Sequence, residues 1–175
     1  SPQPWDDFRG GDYAEGNRAA WRALEEALAA GKLRSIGVSN FQQADIESLL
    51  EGASVVPHVN QLLVHVGNTP AELIEYCTGK GILVEAYSPM AHGEMMKNSE
   101  VTAMAERYGV SVPQLCIRYT LDLGTVSLPK TANPAHMRDN AQVDFAISEE
   151  DMDTLRGLEH REYGEFSFFP VYSGK

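Results

Sequence analysis

At 175 residues the chain has the length of one domain with a sizeable core, and its 43% hydrophobic and 22% charged residues are an ordinary globular mixture. A formal net charge of −11 argues against nucleic acid or an anionic membrane surface as partner, while leaving room for local basic spots such as Lys130. No apolar run approaches the ~20 residues of a membrane span.

The opening Ser-Pro-Gln-Pro-Trp-Asp-Asp-Phe lacks the basic start and apolar core of a signal peptide, and without Met at residue 1 it reads as mid-protein sequence. Residues 1–16 mix prolines, glycines and acids with Trp5, Phe8 and Tyr13, which is loop composition with aromatic anchors. Helical periodicity follows over Asn17–Ala30, with Trp21, Leu24, Ala27 and Leu28 on one face and Gly31 as its stop. Ser35–Val38 reads as a strand and Gln42–Leu50 as a helix. Pro57–Leu62 is the next strand, and Pro70–Lys80 the next helix, with Pro in its first turn and Gly81 after it. Leu83–Tyr87 is a third strand. Ser99–Tyr108 is a helix stopped by Gly109, and Ser111 caps another running to Leu123. Val126–Leu128 is the fourth strand, and Asn133–Asn140 a short helix. Ser148, followed three residues later by an acid, opens the last helix. The tail, Tyr163–Tyr172, is aromatic and aperiodic. Cys77 and Cys116 sit in apolar helical patterns and read as buried free thiols of a reducing, cytoplasmic compartment.

Strand–helix alternation predicts a parallel α/β sheet, because parallel strands need crossover connections. Each strand ends in polar residues: Ser39-Asn40, Asn60-Gln61, Tyr87-Ser88 and Lys130-Thr131. Buried strands have no structural use for such tips, and the C-terminal ends of parallel strands are where α/β folds bind ligands. Four strands alone leave two open edges, which a closed eight-stranded barrel removes.

The run Gly31-Lys32-Leu33-Arg34-Ser35-Ile36-Gly37-Val38-Ser39-Asn40-Phe41 resembles the aldo-keto reductase family. The resemblance continues through Val59-Asn60-Gln61, Ala86-Tyr87-Ser88-Pro89 and Leu128-Pro129-Lys130-Thr131 to Asn140, in the family's order and approximate spacing. It is nearest to the bacterial diketogluconate-reductase-like branch. It implies a (β/α)8 TIM barrel of which this chain supplies strands five to eight. Residues 1–16 would be a substrate-side loop, 17–160 the βα units and 161–175 the tail of a single domain. The family's catalytic tetrad of Asp, Tyr, Lys and His would then lie upstream, on a missing N-terminal half, so no residue here is expected to be catalytic.

The resemblance implies NADPH as cofactor and a small carbonyl compound as substrate. Ser39, Asn40 and Gln61 would hold the nicotinamide carboxamide, whose donor and acceptor they can match. The other reading of Ser39-Asn40 is a cap for the helix that follows. Tyr87 would stack on the nicotinamide. Ser88, Met90, His92 and Gly93 would wrap the pyrophosphate, and Lys130, Thr131 and Ala132 would receive the 2′-phosphate. Where the family usually has Arg, this chain has His136, with Arg138 two residues on. With Lys130 retained, NADPH is still the expected preference; because His pairs with phosphate as a cation only when protonated, its affinity should weaken as pH rises through the histidine range. Asp139 and Asn140 match a pair that contacts adenine. Trp5, Phe8, Phe168 and Phe169 are candidates for the substrate pocket, with Phe166 beside them. His65 reads as a packing residue, and the five histidines lack metal-ligand spacing, so no metal is expected. Two rival readings stand: a non-catalytic NADPH-binding half-barrel, and a phosphate-binding barrel isomerase or aldolase.

Overall fold

The computed structural model describes residues 11–167. Its elements alternate as the sequence predicts: α1 (Ala14–Ala29), β1 (Gly37–Ser39), α2 (Gln43–Leu50), β2 (Val59–Leu63), α3 (Ala71–Gly79), β3 (Leu83–Tyr87), α4 (Ser99–Tyr108), α5 (Val112–Asp122), β4 (Val126–Leu128), α6 (Pro134–Asn140) and α7 (Glu149–Gly157). Short 3-10 stretches lie at Ala91–Lys97 and Gly164–Phe166. The chain divides into two compact units. Of the described residues, the first holds those up to Gln61 with Glu72–Leu83; the second holds Leu62–Ala71 and those from Val84 to Ser167.

In the first unit β1 and β2 pair in parallel, Gly37 opposite Val59 and Ser39 opposite Gln61. A Cβ at position 37 would sit 2.7 Å from the Val59 carbonyl oxygen, so the close start of this pairing requires glycine. Trp21, Ile36 and Leu49 form the buried centre, with Leu24, Leu28 and Phe41 against it. The Trp21 indole N–H donates to the Val55 carbonyl at 3.1 Å. Glu25 accepts the Ser54 and Val55 N–H groups at 2.7 Å each, so α1 holds the loop that leads into β2.

Several boundaries differ from the sequence reading, chiefly at the starts of α1, β1 and β2, the last of which begins at Val59, not Pro57. Helix α1 begins at Ala14, not Asn17, because the Asp12 carboxylate accepts the Ala14 N–H at 3.0 Å and serves a helix start inside apparent loop composition. Strand β1 begins at Gly37, not Ser35. The Ile36 N–H donates instead to the His58 ring at 3.1 Å, and the ladder starts one residue later.

In the second unit β3 and β4 pair in parallel, with Tyr87 opposite Leu128 at their ends. Its core gathers Leu63, Val66, Met95, Val101, Met104, Leu115, Tyr119 and Leu155. Helix α4 turns Val101, Met104 and Ala105 inward, the i, i+3, i+4 spacing of one face. Asn98 caps it, accepting the Glu100 and Val101 N–H groups. Ser111 and Gln114 close α5 reciprocally: Gln114 accepts the Ser111 N–H at 2.8 Å and Ser111 accepts the Gln114 N–H at 3.3 Å. Cys77 and Cys116 are buried and free. Among the described residues no helix is long and apolar enough to cross a membrane.

Candidate functional site

In the first unit the β1–β2 register sets Ser39 beside Gln61 at the strand tips. The Ser39 hydroxyl donates to the Gln61 carbonyl at 3.1 Å, and the Asn40 N–H donates to the same oxygen at 2.9 Å. Asn40 is left-handed, with φ 58°, so the chain turns sharply there. The residue that caps α2 is Gln42, whose N–H is accepted by Asp45 at 2.8 Å. Ser39 and Asn40 are therefore engaged with the tip of β2, and the helix-cap role falls to Gln42.

Behind this turn, Asn60 is completely buried. Its amide donates to the Phe41 carbonyl at 2.9 Å, which ties the end of the turn to β2. Asn60→Ala is expected to cost about 2 kcal/mol, because it strands that carbonyl and opens a small void. A urea midpoint equal to that of wild type would overturn this.

In the second unit Tyr87 and Leu128 end their strands at the same level, so the segments after β3 and β4 emerge side by side. They enclose a cavity of about 440 Å³. Met90, His92 and Gly93 line it from the β3 side. Lys130, Thr131, His136, Asp139 and Asn140 line it from beyond β4. Tyr87, Ser88 and Ala132, expected at the same site, are not among its lining residues, and neither is Arg138. Trp5, Phe8, Phe168 and Phe169 lie outside the described residues.

Three further residues complete the wall: Met96, Ser111 and Pro113. Ser111 is the cap of α5 and Pro113 stands in its first turn, so the sequence marks them as a helix start. The missing link is Gln114, whose side-chain amide donates to the Asp139 carbonyl at 3.1 Å and the Gln142 carbonyl at 3.2 Å. That contact fastens the end of α6 to the start of α5. The segment after β3 carries 3-10 structure over Ala91–Lys97, interrupted by a kink at His92 and Gly93.

His65 lies in the second unit, fully buried and outside the cavity lining. Its Nδ1–H donates to the Val66 carbonyl at 2.6 Å, and its Nε2 lies 2.9 Å from the Tyr163 hydroxyl. Burial lowers its pKa to about 4, against the opposing Val66 hydrogen bond. Burial pushes the Cys116 thiol up to about 12, which makes it a poor nucleophile. Among the described residues no three His, Cys, Asp or Glu side chains gather to hold a metal ion.

Parallel strand–helix units with polar residues collected beyond the strand ends are the architecture of α/β proteins that bind ligands at the C-terminal ends of their strands. The chain belongs to the aldo/keto reductase family, whose model matches residues 2–160. It is similar to a glyoxal reductase of Bacillus subtilis, 43% identical over 139 residues that cover 79% of this chain and 50% of that protein. An aldehyde reductase of Saccharomyces cerevisiae is 37% identical over 142 residues, covering 79% of this chain and 45% of its own. Among solved structures, an aldo-keto reductase from a deep-sea metagenome library superposes with a TM-score of 0.80 at 31% identity, covering 85% of this chain and 56% of that one. Another aldo-keto reductase, solved with NADPH, superposes with a TM-score of 0.75 at 33% identity, covering 86% of this chain and 49% of its own. The chain spans about half the length of the relatives it matches.

Proposed function

We propose that this chain is the cofactor-binding half of an NADPH-dependent aldo-keto reductase, which reduces an aldehyde or ketone to an alcohol. The observation that carries the reading is the cavity beyond β3 and β4. It combines one ammonium, Lys130, with the Thr131 hydroxyl, the His136 imidazole and the Asn140 amide on a wall that also holds Met90, Met96 and Pro113. Such a lining fits a phosphorylated nucleoside: charge for the 2′-phosphate, apolar surface for the adenine faces, and polar groups for its edge. Backbone at Met90–Gly93 would approach the pyrophosphate.

In the first unit, Ser39, Asn40 and Gln61 would orient the nicotinamide carboxamide. This is supported by the paired strand tips and by Gln42 taking the helix-cap role. The cofactor, when bound, supplies a hydride. The contribution of this chain's residues is to bind and orient. Tyr87 would limit the tilt of the ring, and Trp5, Phe8, Phe168 and Phe169 remain candidates for the carbonyl pocket. The single-domain organisation of residues 1–175, as strands five to eight with a C-terminal tail, is part of this proposal. So is a reducing, cytoplasmic setting, supported by the free Cys77 and Cys116.

A proton donor is expected from the other half of the barrel, since the family's Asp, Tyr, Lys and His have no counterpart in the motifs of this chain. The 175-residue chain should therefore bind NADPH, seen by calorimetry, yet reduce no aldehyde above a no-enzyme control. Absence of binding would sink the cofactor reading. Turnover by the pure chain would sink the half-barrel reading. Binding without turnover, even after an upstream half is restored, would favour the non-catalytic binding module, a reading kept open by the half-length match.

A further inference from the structure

We infer that Phe166, on the C-terminal segment, is a positioning residue: it holds the His92 loop in the shape that walls the cavity, and so sets how firmly a phosphorylated nucleoside is held there. The inference rests on the nucleotide reading of that cavity and concerns a residue the reading itself does not use.

The loop after β3 is unusual in its backbone. Ser88, Ala91 and His92 have φ values of 53°, 47° and 55°, and Gly93 follows at 93°. Left-handed conformation is strained for a residue with a Cβ, so three such residues in a short stretch need contacts that impose them. Local hydrogen bonds account for part: Ala91 N–H donates to the Ser88 carbonyl and Gly93 N–H to the Met90 carbonyl, each at 2.8 Å. The buried Ala91 is also gripped by the core. His92 is different. It projects outward, and its ring lies flat on Phe166, with centroids 4.1 Å apart and planes 14° from parallel.

Phe166 can serve as a support because its own segment is anchored. The His160 N–H donates to the Gly67 carbonyl at 2.9 Å, and a Cβ on Gly67 would meet His160 Cβ at 2.6 Å, so the two backbones touch. Tyr163 is buried, with its hydroxyl 2.9 Å from His65 Nε2. Its N–H donates to the Ser167 hydroxyl at 2.8 Å, and the Phe166 N–H donates to the Tyr163 carbonyl at 3.0 Å. A continuous line of contacts thus runs from the turn after β2, through Tyr163 and Phe166, to His92 on the cavity wall. Sequence spacing could not reveal it, because His92 and Phe166 belong to no common periodic pattern.

The test compares Phe166→Leu, Phe166→Ala and Phe166→Tyr in the full chain. Three readouts are taken: thermal midpoint, the His92 ring proton resonances assigned with His92→Gln, and the dissociation constant of 2′,5′-ADP. Leu keeps apolar bulk but loses the stack, so it separates packing from positioning. Phe166→Leu is expected to shift the His92 resonances and weaken 2′,5′-ADP about three- to tenfold, the range of an aromatic pair, and Phe166→Tyr to restore both. In the His92→Gln background Phe166→Leu should add nothing. If wild type binds 2′,5′-ADP and Phe166→Leu binds it equally well, the inference is wrong while the nucleotide reading stands. If wild type does not bind 2′,5′-ADP, the nucleotide reading fails first and the inference falls with it.

Discussion

Replacing Lys130 by Met is expected to weaken NADPH binding about ten- to a hundredfold while leaving NADH within about twofold, because a charged hydrogen bond to phosphate contributes about 1.5–3 kcal/mol. Lys130 follows β4 by two residues, where the strand tip delivers it to the cavity that also holds Thr131 and His136. The two cofactors differ only in the 2′-phosphate, so the difference between their affinities isolates the group that Lys130 would meet. The side chain is exposed, and water and salt screen its charge. The lower end of the range is thus expected at physiological salt and the upper end at low salt. Met preserves most of the apolar stem, which keeps loss of packing out of the comparison. Calorimetric titration of both cofactors at two salt concentrations measures the effect. Equal losses for NADPH and NADH would show that Lys130 supports the loop and does not contact a phosphate. No loss for either would move the phosphate away from this cavity.

The elements that the sequence reveals best are those with chemical punctuation at both ends. The bounds of α4 can be read to the residue because Asn98 caps its start and Gly109, left-handed at φ 66°, ends it. β3 and β4 are equally legible, each entered after a glycine turn and followed within two residues by a proline, Pro89 or Pro129. The strand tips read as a candidate site because Ser39, Gln61 and Lys130 are polar at or just beyond the ends of strands, where a buried sheet has no use for them. What escaped depends on contacts distant in sequence. Ser111 and Pro113 look like an ordinary helix start, yet they line the cavity, where the Gln114 amide ties their helix to the Asp139 carbonyl. Asn60 reads as one half of a motif with Gln61, yet it faces inward to hold the Phe41 carbonyl. Alternation along a strand sends neighbours to opposite faces, but it does not say which neighbour will meet a ligand. The start of α1 escaped for a different reason. The Asp12 carboxylate accepts the Ala14 N–H, but it stands one residue ahead of the capping position, Tyr13, where no apolar period is yet established.

Stability should fall by about 3 kcal/mol as pH drops from 6.5 to 4, through His65 alone, at about 1.4 kcal/mol per unit of pKa shift. His65 is buried, and desolvation is the largest cause that lowers its pKa from 6.5 to about 4. The Val66 carbonyl pulls the other way, while His160 and His92 add repulsion. The Tyr163 hydroxyl, which can donate to Nε2, adds no charge of its own. Above pH 6.5 the ring is neutral in both folded and unfolded chains, so it contributes no slope. Between 6.5 and 4 the unfolded chain takes up a proton that the folded chain refuses, and the equilibrium moves toward unfolding. Below 4 both are protonated and the loss stops growing. Other groups titrate in the same window, so the quantity to measure is the difference between wild type and His65→Gln, which keeps a polar side chain without a titrating ring. Urea unfolding at closely spaced pH values should show that difference shrinking toward acid, with the change concentrated in this window. A difference that stays flat would mean that the buried ring accepts a proton as readily as a solvated one. Because His65 meets Tyr163, and Tyr163 carries the segment that supports His92, the same acid window should also loosen the wall of the cavity.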